Sequence, residues 1–380
     1  MKKFNIVCVI GTRSEALKMI PVIKSLQQIE LFGVYIIITG QYRELLTTLL
    51  YQAQIKETIH FDVMVPNQSL GMLNRNLFTH FDEFFSHTTC DLVIAQGDTT
   101  TTLVAALSAF YRKIPFAHIE AGRRTLSIDN PFPEELNQRA ISLVSQLHFC
   151  PTQLTANNLI RQGINSHVYV TGSTSIDALY ECARTIPPTS VLEKKLILVT
   201  CHRRENFGQP LINICIALKY LAERNKNTVF LLPVHPNPNV CGVVEMHLSH
   251  IDNLILSPPF EYKELVGILK NCYLVLTDSC ALQEEAPALH KPVLVLRTET
   301  DQVEAVSCGA ALLVGHDIEH IITEVEKLLY DEHAYMKMCD VDSPYGDGQA
   351  ATRIVQIITH YLAHQSDFPQ IIESQIAEMV

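Results

Sequence analysis

The chain has 380 residues, of which 47% are hydrophobic and 18% charged, with a formal net charge of −11. That is a globular balance with material for two domains of roughly 150–200 residues each. The acidic excess argues against binding a nucleic-acid backbone, which needs a basic face.

The first element is a buried-strand run over residues 4–10. Its start, Met1-Lys2-Lys3-Phe4, has no long apolar stretch or small-residue cleavage site of the kind a signal peptide needs. Gly11-Thr12-Arg13-Ser14 closes the strand, and helical spacing follows over 15–26. Further strands are expected at 33–39, 92–95, 115–118 and 168–170, and a break at Pro187-Pro188. The pattern then starts again. A short apolar run over 196–200 ends in Cys201-His202-Arg203-Arg204-Glu205-Asn206, with helical spacing over 211–222. Strands follow at 229–232, 273–276 and 293–296. Short continuous apolar runs alternating with helices indicate parallel sheets. The expected architecture is therefore α/β, with two Rossmann-like doubly wound domains. No apolar run approaches the roughly 20 residues that cross a bilayer, so no membrane insertion is expected. The 11 cysteines include no CxxC pair and read as reduced thiols of a cytoplasmic protein.

Ligands of such sheets bind outside the carboxyl ends of the strands. Six polar clusters fall there: Gly11–Arg13, Gln96-Gly97-Asp98, His118–Glu120, His202–Asn206, His235 and Asp278-Ser279. Gly11-Thr12-Arg13-Ser14 reads either as an anion-binding turn with Arg13 as a phosphate clamp or as a plain turn with a Ser cap. Asp278 and Ser279 read either as caps of the helix at 282–289 or as the start of a diphosphate site on the amides of 279–281. Asp98, Glu120, Glu134 and Glu135 are the carboxylates available for proton transfer, with His118 and His202 as further titratable groups. There is no GxGxxG, no GKS/T and no HExxH, so neither a dinucleotide cofactor nor a metal is expected.

Ten segments in order resemble the non-hydrolysing UDP-N-acetylglucosamine 2-epimerases. They are GTRSEALKMIPVI (11–23), QGDTTTTLVAA (96–106), HIEAGRRT (118–125), NPFPEELN (130–137) and TGSTSIDAL (171–179), then HRRENFG (202–208), PVHPNPNV (233–240), LTDS (276–279), QEEAP (283–287) and SPYGDGQAATRI (343–354). The resemblance implies a glycosyltransferase-B-like pair of domains with the active site in the cleft between them. It implies an N-terminal domain over 1–170 with a C-terminal helix over about 358–380 packing back, and a UDP-binding domain over 171–357. UDP would leave as the C2 proton is removed, giving a 2-acetamidoglucal, and then re-add with the proton on the opposite face of C2, without a cofactor. In this scheme Asp98, Glu120 and Glu134 are the acid/base carboxylates. Lys18, Arg13 and His202 handle the diphosphate, and Ser279, Cys280, Ala281, Glu285, Tyr262 and Arg139 hold the rest of the substrate. Gln41, Arg203 and His235 match a second, regulatory UDP-sugar site. A UDP-sugar and a second copy of the chain are the implied partners.

The sequence departs from the family pattern in four places. Asp278-Ser279-Cys280-Ala281 stands for Asp-Ser-Gly-Gly, Thr300-Asp301-Gln302-Val303-Glu304 for Thr-Glu-Arg-Pro-Glu, and Gln138 for an arginine, with Arg139 one position late and turned about 100° on a helix. Ser173 replaces an asparagine. These changes fit either a close UDP-N-acetylhexosamine as substrate or weakened catalysis, as in a binding-only paralogue. A hydrolysing epimerase that releases N-acetylmannosamine and a glycosyltransferase on the same fold are the alternatives.

Overall fold

The computed structural model describes residues 3–40, 43–55, 58–125, 127–187 and 193–364. Gln41 and the chain after residue 364, where the C-terminal helix is expected to run to 380, lie outside the described residues. The chain divides into two compact units, Met1–Ala178 with Gly346–Val380, and Leu179–Tyr345.

The first unit alternates strand and helix: β1 (Phe4–Ile10), α1 (Arg13–Gln27), β2 (Phe32–Ile38), α2 (Arg43–Gln52), β3 (Thr58–His60), α3 (Leu70–His87) and β4 (Leu92–Gln96). It continues with α4 (Thr100–Tyr111), β5 (Phe116–Ile119), α5 (Glu134–Val144), β6 (Leu147–Cys150), α6 (Gln153–Arg161), β7 (Val168–Val170) and α7 (Thr174–Arg184), which runs into the second unit. The sheet order is β3-β2-β1-β4-β5-β6-β7, and every recorded pairing is parallel. Alternate β1 side chains feed two cores, as the two-residue strand period requires. Ile6, Cys8 and Ile10 pack with α1 residues such as Met19 and Ile23, whereas Val7 and Val9 pack with Phe81 of α3 and Val104 of α4.

The second unit holds β8 (Lys195–Thr200), α8 (Gln209–Arg224), β9 (Thr228–Pro233), α9 (Pro238–Leu248), β10 (Leu254–Ser257), α10 (Tyr262–Asn271) and β11 (Leu274–Thr277). Then come α11 (Cys280–Ala288), β12 (Val293–Val295), α12 (Val303–Ser307), β13 (Ala311–Leu313), α13 (Ile318–Tyr330) and α14 (Glu332–Cys339). Its sheet order is β10-β9-β8-β11-β12-β13, again parallel throughout.

After Tyr345 the chain belongs to the first unit again. Its last described helix, α15 (Ala350–His364), buries Ile354, Val355, Ile358 and Leu362 in the β1–α1 core. Each such side chain is worth about 1.5–3 kcal/mol. The helix start is fixed by Asp177 of α7, whose carboxylate accepts from the amides of Ala350 and Ala351 at 3.1 and 2.8 Å.

All nine strands read from apolar runs are present. β3, β6, β10 and β13 are not anticipated from the sequence. They are three or four residues long, too short for a periodic signal, and are defined by pairing with a neighbour.

Candidate active site

In each sheet the strand order reverses once, between β1 and β4 and between β8 and β11. Those are the topological switch points, where a crevice opens at the carboxyl edge of a doubly wound sheet. The polar clusters gather at both.

In the first unit, Gly97 follows β4 with φ of +82° and turns the chain so that Asp98 stands at the strand end. Glu120 follows β5 and is buried, with φ of +66°, a left-handed backbone that costs a non-glycine residue about 1–2 kcal/mol. Its carboxylate is held from three sides. Lys18 Nζ of α1 lies at 2.6 Å, Arg123 Nη2 at 2.8 Å, and Gln96 Nε2 donates a very short hydrogen bond. Burial alone would push the Glu120 carboxyl up, but Arg123 and Lys18 outweigh it and hold the group below its ordinary value. Asp98 goes the other way. Burial, then the charge of Glu120, pushes its carboxyl up to about 7, with Glu134 adding to the rise and Arg123 and Lys18 opposing it. Two neighbouring carboxyls with their proton affinities driven apart are what acid/base chemistry near neutral pH requires.

Helix α5 carries Glu134 at its first position. The next residue, Glu135, is buried and structural: it accepts from the Thr125 amide at 2.9 Å and pairs with Arg139 Nε at 2.6 Å. Arg139 is therefore tied to its own helix and to the Thr125 loop. Gln138 points inward and donates to the carbonyl of Glu120 at 3.1 Å. His118 is buried within β5, Nε2 against the Gly97 carbonyl at 2.7 Å, and burial pushes its ring down to about 3. It is a neutral core residue.

The Gly11–Ser14 turn is closed from within. Thr12, not Ser14, caps α1, and Glu15 completes a capping box. One Glu15 oxygen accepts from the amides of Gly11 and Thr12 at 2.6 and 2.7 Å, and the other from Thr99 Oγ1 at 2.6 Å. Gly11 is demanded by this packing, since a Cβ there would lie 2.7 Å from Thr101 Oγ1. Those two amides do not serve an anion, which leaves Arg13, half-buried at the first helical position, as the part of the turn suited to a phosphate.

In the second unit, Asp278 after β11 is completely buried. It does not cap α11. Its Oδ2 accepts from the amides of His202 and Arg203 at 2.9 and 2.8 Å and from Asn206 Nδ2 at 3.0 Å, shaping the loop after β8. The His202 ring lies 3.4 Å from Asp278 Oδ1 and stacks on His235 at 5.8 Å. Burial lowers its proton affinity more than Asp278 restores it, so the ring is neutral at neutral pH.

Ser279 is the N-cap residue of α11 but makes no side-chain cap, and its amide donates to Thr277 Oγ1 at 2.9 Å. That removes one of the three amides expected to face a diphosphate. The amides of Cys280 and Ala281 have no protein acceptor among the described residues. Neither residue has positive φ, and Ala281 is exposed. The Cys280 thiol sits between Arg203 Nη2 at 2.9 Å and Arg297 Nη1 at 3.4 Å and donates to Asp301 Oδ1 at 3.0 Å. Further along α11, Glu285 is buried and accepts from the Tyr262 hydroxyl at 3.0 Å. Burial and the Glu285 charge raise the proton affinity of that hydroxyl, which stays a donor.

The sequence matches the profile of the UDP-N-acetylglucosamine 2-epimerase family over residues 24–359. The chain belongs to the UDP-N-acetylglucosamine 2-epimerase family. It is 38% identical over 371 residues to the UDP-N-acetylglucosamine 2-epimerase of Salmonella typhimurium, covering 94% of this chain and 99% of the relative. Its fold is similar to the Neisseria meningitidis UDP-GlcNAc 2-epimerase solved with UDP-GlcNAc, with TM-score 0.85, 40% identity and coverage of 93% and 99%. It is also similar to the Methanocaldococcus jannaschii enzyme solved with UDP-GlcNAc and UDP, with TM-score 0.78, 28% identity and coverage of 94% and 99%.

Within this 2-epimerase the structure brings Asp98, Glu120, Lys18 and Glu134 together in the first unit, and His202, Arg203, His235, Ser279 and Cys280 in the second. Sequence reasoning missed Arg123, which lies in the segment after β5 and reaches back to Glu120. Arg297 was missed too. It stands just beyond β12, at a strand end of the kind already singled out, and reaches Glu205 at 3.2 Å and Asp301 at 3.1 Å.

Proposed function

We propose that this epimerase interconverts UDP-N-acetylglucosamine and UDP-N-acetylmannosamine. The observation that carries the reading is the carboxyl pair at the ends of β4 and β5, where Glu120 is held by Lys18 and Arg123 and kept low while Asp98 beside it is raised to about 7. One carboxylate takes the C2 proton as the C1–oxygen bond to UDP breaks and a C1–C2 double bond forms. UDP then re-adds at C1 of the 2-acetamidoglucal while a second carboxyl delivers a proton to the other face of C2. Glu120 is suited to be the ionised partner, Asp98 to hold a proton near neutral pH, and Glu134 to tune or relay it. Lys18 orients Glu120, and Arg13 meets the diphosphate.

In the second unit the open amides of Cys280 and Ala281 and the guanidinium groups of Arg203 and Arg297 suit a diphosphate. His202 is a neutral donor to the departing UDP, Ser279 offers its hydroxyl, and Glu285 with Tyr262 is suited to the ribose. Arg203 and His235 belong also to the proposed regulatory site for a second UDP-sugar, with Gln41. Arg139 acts on substrate only through the loop it holds.

The eleven free thiols suit a reducing cytoplasm. Phe110, Tyr111 and Leu143, exposed on neighbouring α4 and α5, suit a homodimer contact. Light scattering on the purified protein tests the dimer.

The decisive experiment is incubation with UDP-GlcNAc in deuterated water, followed by proton NMR. Deuterium at C2 with UDP-ManNAc appearing is the expected result. Accumulation of free N-acetylmannosamine and UDP indicates the hydrolysing reaction, and no exchange at C2 defeats the proposal.

A further inference from the structure

Helix α5 does more than present Glu134. Two consecutive side chains on it, Asn137 and Gln138, are 3% and 1% exposed. Asn137 Nδ2 donates to the main-chain carbonyl of Asp98 at 2.8 Å, and Gln138 Nε2 to that of Glu120 at 3.1 Å. One helix thus holds the backbone of the two carboxylates that follow β4 and β5, and bears the third carboxylate one turn before Gln138, on the same helical face.

The Gln138 position is not optimised for stability. Among the described residues its Oε1 is buried without a hydrogen-bond partner, and buried polar atoms are nearly always paired. The carbonyl it serves belongs to Glu120, whose φ of +66° must be held by its surroundings. A side chain that leaves its own oxygen unpaired to fix a strained carboxylate breaks a local rule at a site, where such exceptions are expected.

We propose that Asn137 and Gln138 are positioning residues, a pair of amide clamps that sets the spacing of Asp98 and Glu120 relative to Glu134. The inference rests on the acid/base reading given above. The groups facing Asp98 are Lys18 from α1, Glu120 and Arg123 from the segment after β5, and Glu134 from α5. Releasing a clamp lets Asp98 turn toward water and away from Glu120, so its carboxyl moves down toward the ordinary aspartate range.

The test uses Gln138→Met and Asn137→Leu, close in shape but without the donor, in the full chain. In each, kcat should fall about 10- to 100-fold, the scale on which a misplacement near 1 Å acts, while KM and UDP affinity change less than about threefold. The midpoint near pH 7 in kcat/KM should move to lower pH. The Gln138→Met thermal midpoint should stay close to the parent's, because one unpaired carbonyl is exchanged for another. An unchanged kcat and pH profile in both variants overturns the proposal. So does a kcat loss matched by an equal loss of UDP binding and thermal stability, which marks the amides as merely structural. If Asn137→Leu does not fold, Gln138→Met decides alone. Carbon-13 NMR titration of the Asp98 carboxyl without substrate separates this inference from the reaction: a shift between parent and Gln138→Met supports the clamp even if C2 exchange is absent, and no shift defeats it.

Discussion

Two helices start at the two switch points, α1 beyond β1 and α11 beyond β11, and their N-termini are treated in opposite ways. At α1 the buried Glu15 folds back and takes the amides of Gly11 and Thr12. At α11 the acid that stands before the helix, Asp278, turns away to hold the loop of His202, Arg203 and Asn206. The amides of Cys280 and Ala281 have no acceptor among the described residues, and the Cys280 thiol beside them lies between Arg203 and Arg297. A helix N-terminus attracts an anion only if its own chain has not already supplied one. The first helix start therefore has two of its amides filled from within, whereas the second keeps amides open for a ligand. Under the proposed function this assigns proton chemistry chiefly to the first unit and backbone binding of the diphosphate to the second. Position in the fold selects the crevice, and the placement of one carboxylate selects its use.

The largest test of that division is made on the first unit. Asp98→Asn, Glu120→Gln and Glu134→Gln should each slow turnover by roughly 10²–10⁴-fold while UDP affinity changes little. Steady-state kinetics and UDP titration calorimetry measure the two quantities. Near-normal rates in all three variants remove these carboxylates from the mechanism, and a parallel loss of UDP binding breaks the separation of roles.

Next in size is the closed end of α1. Glu15→Ala removes a buried carboxylate that accepts from two amides and from Thr99, and leaves those donors unpaired. The loss should be about 2–4 kcal/mol by urea unfolding. A neutral substitution would mean that the amides of Gly11 and Thr12 find water easily, and that this end is no more closed than the start of α11.

The strand ends of both sheets could be read from sequence because apolar runs mark parallel strands and polar residues after them are conspicuous. Asp98, Glu120, His202 and Asp278 were found in that way. What each carboxylate does there was hidden. Asp278 receives the His202 amide from 76 positions away, and no local pattern reports such a bond; Glu15 closes a Thr-x-x-Glu capping box that the sequence does carry, and only its bond to Thr99, 84 positions on, is hidden. The clamps on α5 were hidden for the same reason: Asn137 reaches a carbonyl 39 positions earlier. The missing arginine at 138 was legible as a departure. That Arg139 is held by Glu135 and the Thr125 carbonyl required the structure.

A smaller effect concerns pH and carries a definite sign. The Asp98 carboxyl titrates near 3.9 in an unfolded chain and at about 7 in the fold. The folded state thus holds its proton more tightly. The contribution to stability is fully present below about pH 4 and is lost as pH rises to 7. Asn at this position cannot ionise, so Asp98→Asn should gain stability on the parent as pH rises, by about 1–3 kcal/mol between pH 5 and pH 8. Urea midpoints at the two pH values measure it. A difference independent of pH would show that Asp98 is not driven up by its neighbours.

The smallest expected effect lies at the open end of α11, where side chains have replaced two glycines of the family pattern. Glycine is indispensable where φ is positive or where a Cβ would collide. Neither Cys280 nor Ala281 has positive φ, and Ala281 is exposed. An amide donates equally well from any residue, so an anion held by the backbone should be indifferent to the exchange. The Cys280→Gly, Ala281→Gly double variant loses only the sulfur contacts with Arg203, Arg297 and Asp301, and sulfur is a weak acceptor. Its UDP affinity should stay within about threefold of the parent, a difference below 1 kcal/mol. A crystal with UDP should place the β-phosphate within about 3.2 Å of the amide of Cys280 or Ala281. A gain in affinity of tenfold or more would mean that the thiol obstructs the diphosphate, and a loss of that size that it orients the two arginines. Only the loss would move the binding role at this switch point from the backbone to the side chains.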